Sequence, residues 1–205
     1  MSKARRASTK SRPRNAAATR DAILLSALRA FADRGYDGVG LREIAQGAGV
    51  TAMLVNHYFG SKEQLFSEVV AHAVATPIIL NQENIASGKP AEALATALVK
   101  MTSADEKPQD GFLLFLHSAS TRRAAEITRE QIETHQYKLL ASVMRGPHAA
   151  ERAGLVLAIV AGVQIMRQMI GVSPLAKADP KALVKVLAPV LRQLISPTES
   201  AARRR

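Results

Sequence analysis

Two glycines, Gly47 and Gly49, separate two short segments whose apolar residues have helical spacing. The first segment covers residues 41–48, and the second begins after Thr51, an N-cap residue, and runs to about Phe59. Two short helices joined by a turn of three or four residues that contains glycine form a helix-turn-helix unit. This unit restricts the possible folds more than any other feature of the chain.

A longer amphipathic helix precedes this unit. Leu24, Leu28 and Phe31 follow one another at i, i+4 and i+7, which places them on one face. We expect this helix to start near Thr19 and to end at Gly35, where a left-handed residue closes a helix.

The rest of the chain is also predicted to be helical. Ser61 and Gln64 form a capping box for a fourth helix, and Asp179 caps a last helix that starts at Pro180. Pro189 lies inside that last helix, which we expect it to kink or split. Apolar-periodic segments cover residues 78–86, 90–103, 110–119, 121–145, 147–171 and 180–195. No useful length of alternating strand pattern occurs, so the predicted fold is all-α.

The charge of the chain lies mainly at its two ends. There are 28 Lys and Arg residues against 17 Asp and Glu, a net charge of +11. Residues 1–20 carry seven basic side chains and no acid, and residues 203–205 add three arginines. A near-neutral body with cationic ends is typical of a chain that contacts a polyanion, although a solvated disordered tail has the same composition. We expect residues 1–18 to be a disordered basic arm and residues 198–205 a basic tail.

Composition also bears on the compartment. The chain has no cysteine, which excludes disulfides and thiolate chemistry and fits a reducing compartment. The basic N-terminus is not followed by an apolar stretch, so we predict no secretory signal. The most apolar run, residues 153–166, is shorter than the roughly 20 residues of a membrane-spanning helix. A soluble, cytoplasmic protein without a membrane partner is predicted.

Residues 19–70 resemble the DNA-binding domain of the TetR/AcrR family of transcriptional regulators. The motifs that carry the resemblance are Arg-Glu-Ile-Ala at 42–45, Ala-Gly-Val at 48–50, His-Tyr-Phe at 57–59 and Ser-Lys-Glu at 61–63. The resemblance implies an N-terminal three-helix helix-turn-helix DNA-binding domain at 19–70. It also implies a helical ligand-binding and dimerisation domain at 71–197 and a homodimer built on the last two helices.

A recognition helix must bury one side and present another to the major groove. Val50, Val55 and Phe59 are predicted to be the buried set. Asn56 has the amide to pair with adenine, and Met53 can contact a thymine methyl group. The candidate DNA-binding residues are Arg42, Thr51, Ala52, Met53, Asn56, His57, Tyr58 and Lys62, with Arg12 and Arg14 in the arm.

The resemblance implies phosphate contacts for Lys62 and Arg42, and phosphate or base contacts for His57 and Tyr58. Two alternatives remain open at this point. His57 is also compatible with a surface position without a DNA role. Tyr58 is compatible with packing against the first helix so that only its hydroxyl reaches a phosphate.

The recognition segment departs from the family pattern at several positions. Ala52 and Met53 stand where the family usually has lysine and glycine, and Asn56 stands where it usually has tyrosine. Val39 and Gly40 replace a common Thr or Ser pair that binds phosphate. The surface that reads DNA is therefore unusually apolar, and no family operator sequence is transferred to it.

The predicted DNA-binding domain is slightly acidic. Residues 21–70 hold four basic and six acidic side chains, a net charge of −2. Counterion release requires cations close to the phosphates. We therefore expect the arm, residues 1–18, to supply much of the affinity for double-stranded DNA, as homeodomain arms do in the minor groove.

The segment 147–171 is apolar nearly all round, which predicts burial on more than one face. Small residues recur at a spacing of four and allow another helix to approach closely. Packing against 180–195 and packing against a second subunit both fit this row, and an ordinary monomer core is the alternative to a dimer. The predicted dimer-interface residues are Gly154, Ala158, Gly162, Leu183, Leu187, Val190 and Leu194.

An apolar effector pocket is predicted from flexible and aromatic side chains in the second domain. Its candidate lining residues are Met101, Phe112, Phe115, Met144 and Gln164. Core packing is the competing interpretation for each of them, because methionine commonly fills irregular gaps.

Enzymatic signatures are absent from the sequence. There is no nucleophile elbow, no phosphate-binding loop and no His-Glu-x-x-His pair, and the five histidines are scattered. We predict no enzyme activity, no metal and no cofactor. The predicted function is a ligand-responsive, nucleoid-associated regulator, by family default a repressor, that binds a palindromic operator as a homodimer and is released by a small apolar effector. A non-specific architectural DNA binder, or a helical protein that binds anionic membranes, is the alternative.

Overall fold

The computed structural model describes residues 12–75 and 79–197, with side chains from residue 16 onward. All regular structure in these ranges is helical, which confirms the predicted all-α fold. The α-helices are α1 Arg12–Arg34, α2 Leu41–Gly47, α3 Ala52–Phe59, α4 Lys62–Ala75, α5 Gln82–Ala86, α6 Pro90–Met101, α7 Asp110–Ser118, α8 Arg122–Ile132, α9 Lys138–Val143, α10 Ala149–Val163, α11 Ser173–Ala176 and α12 Pro180–Ile195. Two π-helical segments, Glu133–Tyr137 and Gln164–Met169, continue α8 and α10.

The helix-turn-helix forms where the sequence predicts it. Thr51 caps α3, since its hydroxyl oxygen accepts a hydrogen bond from the Leu54 amide at 3.3 Å. Gly49 and Gly60 have φ values of +68° and +74°, a region that residues with a Cβ rarely adopt. The Ser61 hydroxyl accepts a hydrogen bond from the backbone amide of Gln64 at 3.1 Å and so caps the start of α4. Local capping chemistry therefore sets the boundaries of the recognition helix.

The start of α1 differs from the prediction. The helix begins at Arg12, seven residues before Thr19, so the backbone of 12–18 is helical rather than part of a disordered arm. The physical reason is composition: Pro13 is tolerated in a first turn, and the three alanines at 16–18 have the highest helix propensity. Residues 1–11 of the predicted arm and the predicted tail 198–205 lie outside the described residues.

Two hydrophobic cores organise the molecule. The first core, centred on Phe31 and Phe66, joins α1 to α4, which together form the head. The rings of these two phenylalanines meet edge to face with centroids 5.1 Å apart. Buried residues from α7 and α8 complete this core, namely Leu114, Ala124 and Ile127. The second core joins α5, α6, α9, α10 and α12.

One described helix, Ala149–Met169, is long and apolar enough to cross a membrane by length and composition, with a mean hydropathy of 1.5. It exceeds the apolar run seen in the sequence, residues 153–166, because the helix begins at Ala149 and continues through the polar Arg167 to Met169. Core helices of soluble proteins meet the same criterion, so this finding is weak support for a membrane span. Only 28% of its most apolar window is buried within the chain, which leaves an apolar face open.

Two buried arginines hold the ends of helices together without a carboxylate. Arg167 donates to the Val99 carbonyl at 2.6 Å and to the Thr102 hydroxyl at 2.7 Å, at the end of α6. Arg152 donates to the Leu194 carbonyl at 2.6 Å, at the end of α12. Carbonyls at a helix C-terminus carry partial negative charge, so each guanidinium lies at a favourable potential. Burial lowers the pKa of Arg167 from its ordinary value.

The last helix is continuous. Asp179 caps it, since its carboxylate accepts from the Ala182 amide at 2.8 Å, and Pro180 is its first residue, as predicted. Pro189 lies inside α12 without splitting it, so that part of the prediction is wrong. Leu187, Leu191 and other buried side chains on the inner face hold the helix against α6 and α10, which offsets the hydrogen bond lost at the proline.

Candidate nucleic-acid interface and effector cavity

The two faces of α3 differ as a recognition helix requires. Val55 and Phe59 are 1% and 4% exposed and belong to the first core, while Val50 is half-buried beside them. Met53 is 82% exposed and projects from the opposite face. Asn56, His57 and Thr51 are also exposed, whereas Ala52 and Tyr58 are half-buried. The structure thus brings the predicted base-reading residues to one open surface.

Tyr58 and His57 contact each other at the end of this surface. Their ring centroids lie 5.7 Å apart in an edge-to-face arrangement. Tyr58 also packs against the first core, in agreement with the mixed role considered for it.

Lys62 lies at the first turn of α4, beside the recognition helix. Its Nζ is 4.5 Å from the ring centroid of Tyr36, a cation–π contact. Tyr36 in turn packs edge to face on Phe66, with ring centroids 4.9 Å apart. Burial, followed by the negative charge of Glu63, raises the pKa of the Tyr36 hydroxyl. No sequence motif singled out Tyr36, whose part in positioning Lys62 depends on tertiary packing.

Two of the five Lys and Arg side chains described in the head are in ion pairs. Arg34 forms an ion pair with Glu43, and Arg20 pairs with Glu68 while lying over the ring of Phe59. Arg42 is exposed and Lys62 is half-buried, and neither has a carboxylate partner among the residues whose side chains are described. These two are the predicted phosphate-binding residues. The side chains of the other predicted contacts, Arg12 and Arg14, lie outside the described residues.

A cation from the second half of the chain reaches the edge of this surface. Arg123, at the first turn of α8, donates to the Glu63 carboxylate at 2.9 Å and lies 3.4 Å from the Glu126 carboxylate. The hydrogen bond from Arg123 lowers the pKa of Glu63, and the same contact raises the pKa of Arg123. The sequence gives no signal for this pair because its members are 60 positions apart.

A cavity of about 870 Å³ lies between the two cores. The predicted pocket residues Met101, Phe112, Phe115 and Gln164 all line it. Head residues line it too, which the sequence did not predict: Leu28 from α1 and His72 and Ala73 from α4. Further lining residues are Ile79, Leu80, Asp105, Glu106, Lys107, Pro108, Gln109, Asp110, Gly111, Ile132, Gln136, Leu157, Val160 and Ala161.

Met144 does not belong to this cavity, so its prediction as a lining residue is wrong. It is 4% exposed and is buried in the second core, at the C-cap of α9. The backbone there is extended, and the side chain lies between the packed helices. Methionine fills such an irregular gap well, and this is the core role that competed with the pocket role.

The predicted dimer-interface residues fall into two groups. A Cβ added to Gly154 or Gly162 meets no atom within 4 Å among the described residues, so these glycines pack against no neighbouring helix of the same chain. Ala158 is exposed, Val190 is 48% exposed, and Leu183 and Leu194 are half-buried. A shallow apolar groove between α10 and α12 is lined by Leu155, Ile159, Pro189, Val190, Gln193 and Leu194.

Leu187 is the exception. It is 9% exposed and belongs to the second core, so it is not on the open face as predicted. The hydrophobic spacing of α12 covers more than one face, and spacing alone does not separate the side toward α6 from the side toward solvent. Val186, which is 69% exposed, is an apolar residue on the open side.

Two family models match the chain. Residues 23–69 match the model described as bacterial regulatory proteins, tetR family. Residues 89–195, just over half of the 205-residue chain, match the model described as Tetracyclin repressor-like, C-terminal domain. The two matched ranges contain the recognition helix and most of the cavity lining, respectively.

Similar sequences carry regulator names. The HTH-type transcriptional regulator BetI of Rhizobium meliloti is 29% identical over 134 residues, which span 63% of this chain and 64% of that protein. BetI of Agrobacterium fabrum is 27% identical over 177 residues, 81% of this chain and 84% of that protein. The HTH-type transcriptional repressor KstR2 of Mycolicibacterium smegmatis is 41% identical over 58 residues, 28% of each chain.

Solved structures share the fold. GusR of Salmonella enterica superposes with a TM-score of 0.68 at 17% identity and covers 92% of this chain and 99% of its own. A TetR-family regulator from Streptomyces coelicolor superposes with a TM-score of 0.57 at 24% identity and covers 95% and 99%. At these identities the likeness concerns the fold alone.

Proposed function

This chain belongs to the TetR family of transcriptional regulators, and from that premise we propose that it is a repressor that binds a palindromic operator as a homodimer and leaves it when a small apolar effector occupies the cavity. The chain is a DNA-binding regulator rather than an enzyme, with a ligand-binding C-terminal domain. The effector, the operator and the repressing role belong to the proposal. We also place the protein on the nucleoid.

The observation that carries the proposal is the path of α4. Its first residue, Lys62, lies beside the recognition helix, and its last turns carry His72 and Ala73 at the cavity. Leu28 of α1 also lines the cavity from within the head. A ligand in the cavity therefore touches the helix that positions the DNA-facing surface. A ligand in the cavity changes DNA affinity if it binds more tightly to one of two positions of α4 than to the other.

Sequence choice is assigned to the exposed face of α3. Asn56 offers an amide for bidentate pairing with adenine, and Met53 offers an apolar contact for a thymine methyl group. Arg42 and Lys62, which lack carboxylate partners among the described side chains, are assigned to phosphates. Arg12, Arg14 and the rest of the basic arm are proposed to add phosphate contacts.

The apolar groove between α10 and α12 supports the homodimer. Exposed Leu155 and Val190 lie there, and Gly154 and Gly162 leave room for a close approach of a second backbone. A twofold dimer places its two recognition helices one helical turn apart, about 34–36 Å, on a palindromic site.

The test is a selection of bound sequences from random duplex DNA with the purified full-length chain. A palindromic consensus with half-sites about one turn apart, about 10 bp between centres, is the expected result. A pool without a consensus would contradict the proposal and favour non-specific architectural binding. Release of the selected operator by effector candidates then tests the regulatory part separately.

A further inference from the structure

The cavity joins an apolar interior to an acidic mouth. Its inner walls come from side chains such as Phe112, Phe115 and Leu157. Asp105, Glu106 and Asp110 line it as well but are exposed, so they lie where the cavity opens to solvent. A ligand that fills the interior therefore ends near three carboxylates.

Positive charge at the cavity is sparse. Among the described lining residues, Lys107 is the only Lys or Arg, against the three carboxylates of the mouth. His72 also lines the cavity but already has a bonding or ring partner. An anionic ligand thus finds no arginine there to pair with its charge, and such pairing is how proteins usually bind carboxylate and phosphate.

The acidic segment is fixed at the cavity. Gln168 donates from its amide to the Glu106 carbonyl at 3.0 Å and to the Met101 carbonyl at 3.2 Å. These two bonds tie the loop between α6 and α7 to the helix that forms the cavity wall. Asp110 lies in the first turn of α7, at the helix N-terminus. The mouth therefore keeps its negative charge in place.

A second polar feature, inside the cavity, also favours positive charge in a ligand. Gln164 is 6% exposed and lines the cavity. Its Nε2 donates to the Val160 carbonyl at 3.3 Å, which leaves its Oε1 available to a donor on a ligand in the cavity. A carbonyl oxygen that lines a cavity accepts a hydrogen bond from a ligand donor and attracts positive charge.

We propose that the effector is an amphiphilic cation: an apolar body fills the cavity, and a single positive charge lies at the mouth beside Asp105, Glu106 and Asp110. This inference rests on the proposed function, since it specifies the effector of the same cavity. Carboxylate and phosphate amphiphiles of the same shape are disfavoured by the three carboxylates of the mouth. Because the three carboxylates are exposed, salt screens their attraction and weakens the preference.

The experiment compares two probes with the same tail, decyltrimethylammonium and decanoate, by isothermal titration of the full-length chain below their micelle-forming concentrations. At low salt we expect the cation to bind about tenfold more tightly, the effect of a few exposed charge contacts. The combined variant Asp105→Asn, Glu106→Gln, Asp110→Asn is expected to bind both probes about equally. Equal or tighter binding of decanoate, or no binding of either probe, would overturn the proposal.

A matched variant controls for net charge. The combined variant Glu83→Gln, Glu130→Gln, Glu133→Gln also removes three exposed carboxylates, all outside the cavity lining, and is expected to keep the cation preference. Loss of the preference in this variant would show a general charge effect and contradict the role of the mouth.

DNA release is measured separately on the selected operator. A cation that binds the cavity without releasing DNA overturns the proposed function and leaves the ligand class intact.

Discussion

Arg123 donates to the carboxylate of Glu63 across 2.9 Å and so joins the first turn of α8 to the first turn of α4. Glu63 is the neighbour of Lys62, whose ammonium lies over the Tyr36 ring beside the recognition helix. The ion pair therefore links the head to the second half of the chain. It is exposed, so pH and salt can both weaken it.

The first prediction concerns the pH dependence of this pair. Arg123 lowers the pKa of Glu63, so the pair stabilises the fold above the ordinary glutamate pKa. That stabilisation is lost as pH falls through the lowered value. We expect Glu63→Gln to lower the Tm at pH 7, and we expect this Tm difference from wild type to shrink as pH falls below the ordinary glutamate pKa. Thermal melts from pH 7 into acid measure the Tm difference between Glu63→Gln and wild type. Glu130→Gln, at an exposed position, is the control. A Tm difference that persists unchanged in acid contradicts the role of the pair.

The second prediction concerns the cap of the recognition helix. Thr51→Ala removes the hydroxyl that accepts from the Leu54 amide and is expected to cost about 1 kcal/mol of unfolding free energy. Thr51→Ser keeps an acceptor and is expected to restore most of that loss. Urea denaturation of both variants gives the comparison. Equal loss in the two would mean that the hydroxyl does not cap α3.

The third prediction separates base reading from phosphate binding. Asn56→Ala is expected to weaken binding to the selected operator by about 10- to 100-fold and to relax sequence choice at one position of each half-site. Arg42→Ala is expected to weaken binding to all sequences and to reduce the salt slope by about 0.9 for each site occupied. Titrations over a salt series measure both effects, with exposed Arg129→Ala on α8 as the control. An unchanged salt slope for Arg42→Ala would remove it from the phosphate contacts.

The fourth prediction concerns Arg167, the buried arginine of the π-helical segment that continues α10. Arg167→Met leaves the Val99 and Leu175 carbonyls and the Thr102 hydroxyl without this donor, and we expect a loss of about 2–4 kcal/mol in unfolding free energy. Arg129→Met, an exposed change of the same kind, is expected to stay within about 0.5 kcal/mol of wild type. Chemical denaturation measures both. Similar stability of the two variants would mean that water replaces the guanidinium at little cost.

The fifth prediction tests the homodimer at the groove between α10 and α12. Val190→Glu places a charge on the apolar surface and is expected to produce a folded monomer. Val143→Glu, the same change at a 37% exposed position outside the groove, is expected to leave the oligomeric state unchanged. Sedimentation velocity reports the mass, and circular dichroism confirms that both variants fold. A dimer that survives Val190→Glu would place the interface elsewhere.

Local chemistry explains which boundaries the sequence could predict. The caps at Thr51, Ser61 and Asp179 depend on residues three positions apart, and all three were predicted correctly. The start of α1 was missed because an alanine run has high helix propensity but no apolar periodicity. A pattern that relies on amphipathic spacing does not register such a segment.

Tertiary packing explains the rest. Met144 and Leu187 have the composition expected of a pocket and an interface, yet both lie in the second core. Which side of a helix faces a neighbour depends on elements distant in sequence, as does the contact of Arg123 with Glu63. The contribution of α1 and α4 to the cavity was unpredictable for the same reason, since residues from six helices surround it.

The shared first core limits how this regulator can be taken apart. Leu114, Ala124 and Ile127 are 1%, 0% and 7% exposed and close the core from α7 and α8, beyond the end of the helix-turn-helix sequence. A fragment cut after α4 would expose the apolar side of α1 and α4 that they cover. A chimeric regulator that joins this head to another ligand-binding domain must therefore include α7 and α8. Otherwise the apolar surface of α1 and α4 that they cover must be redesigned to face solvent.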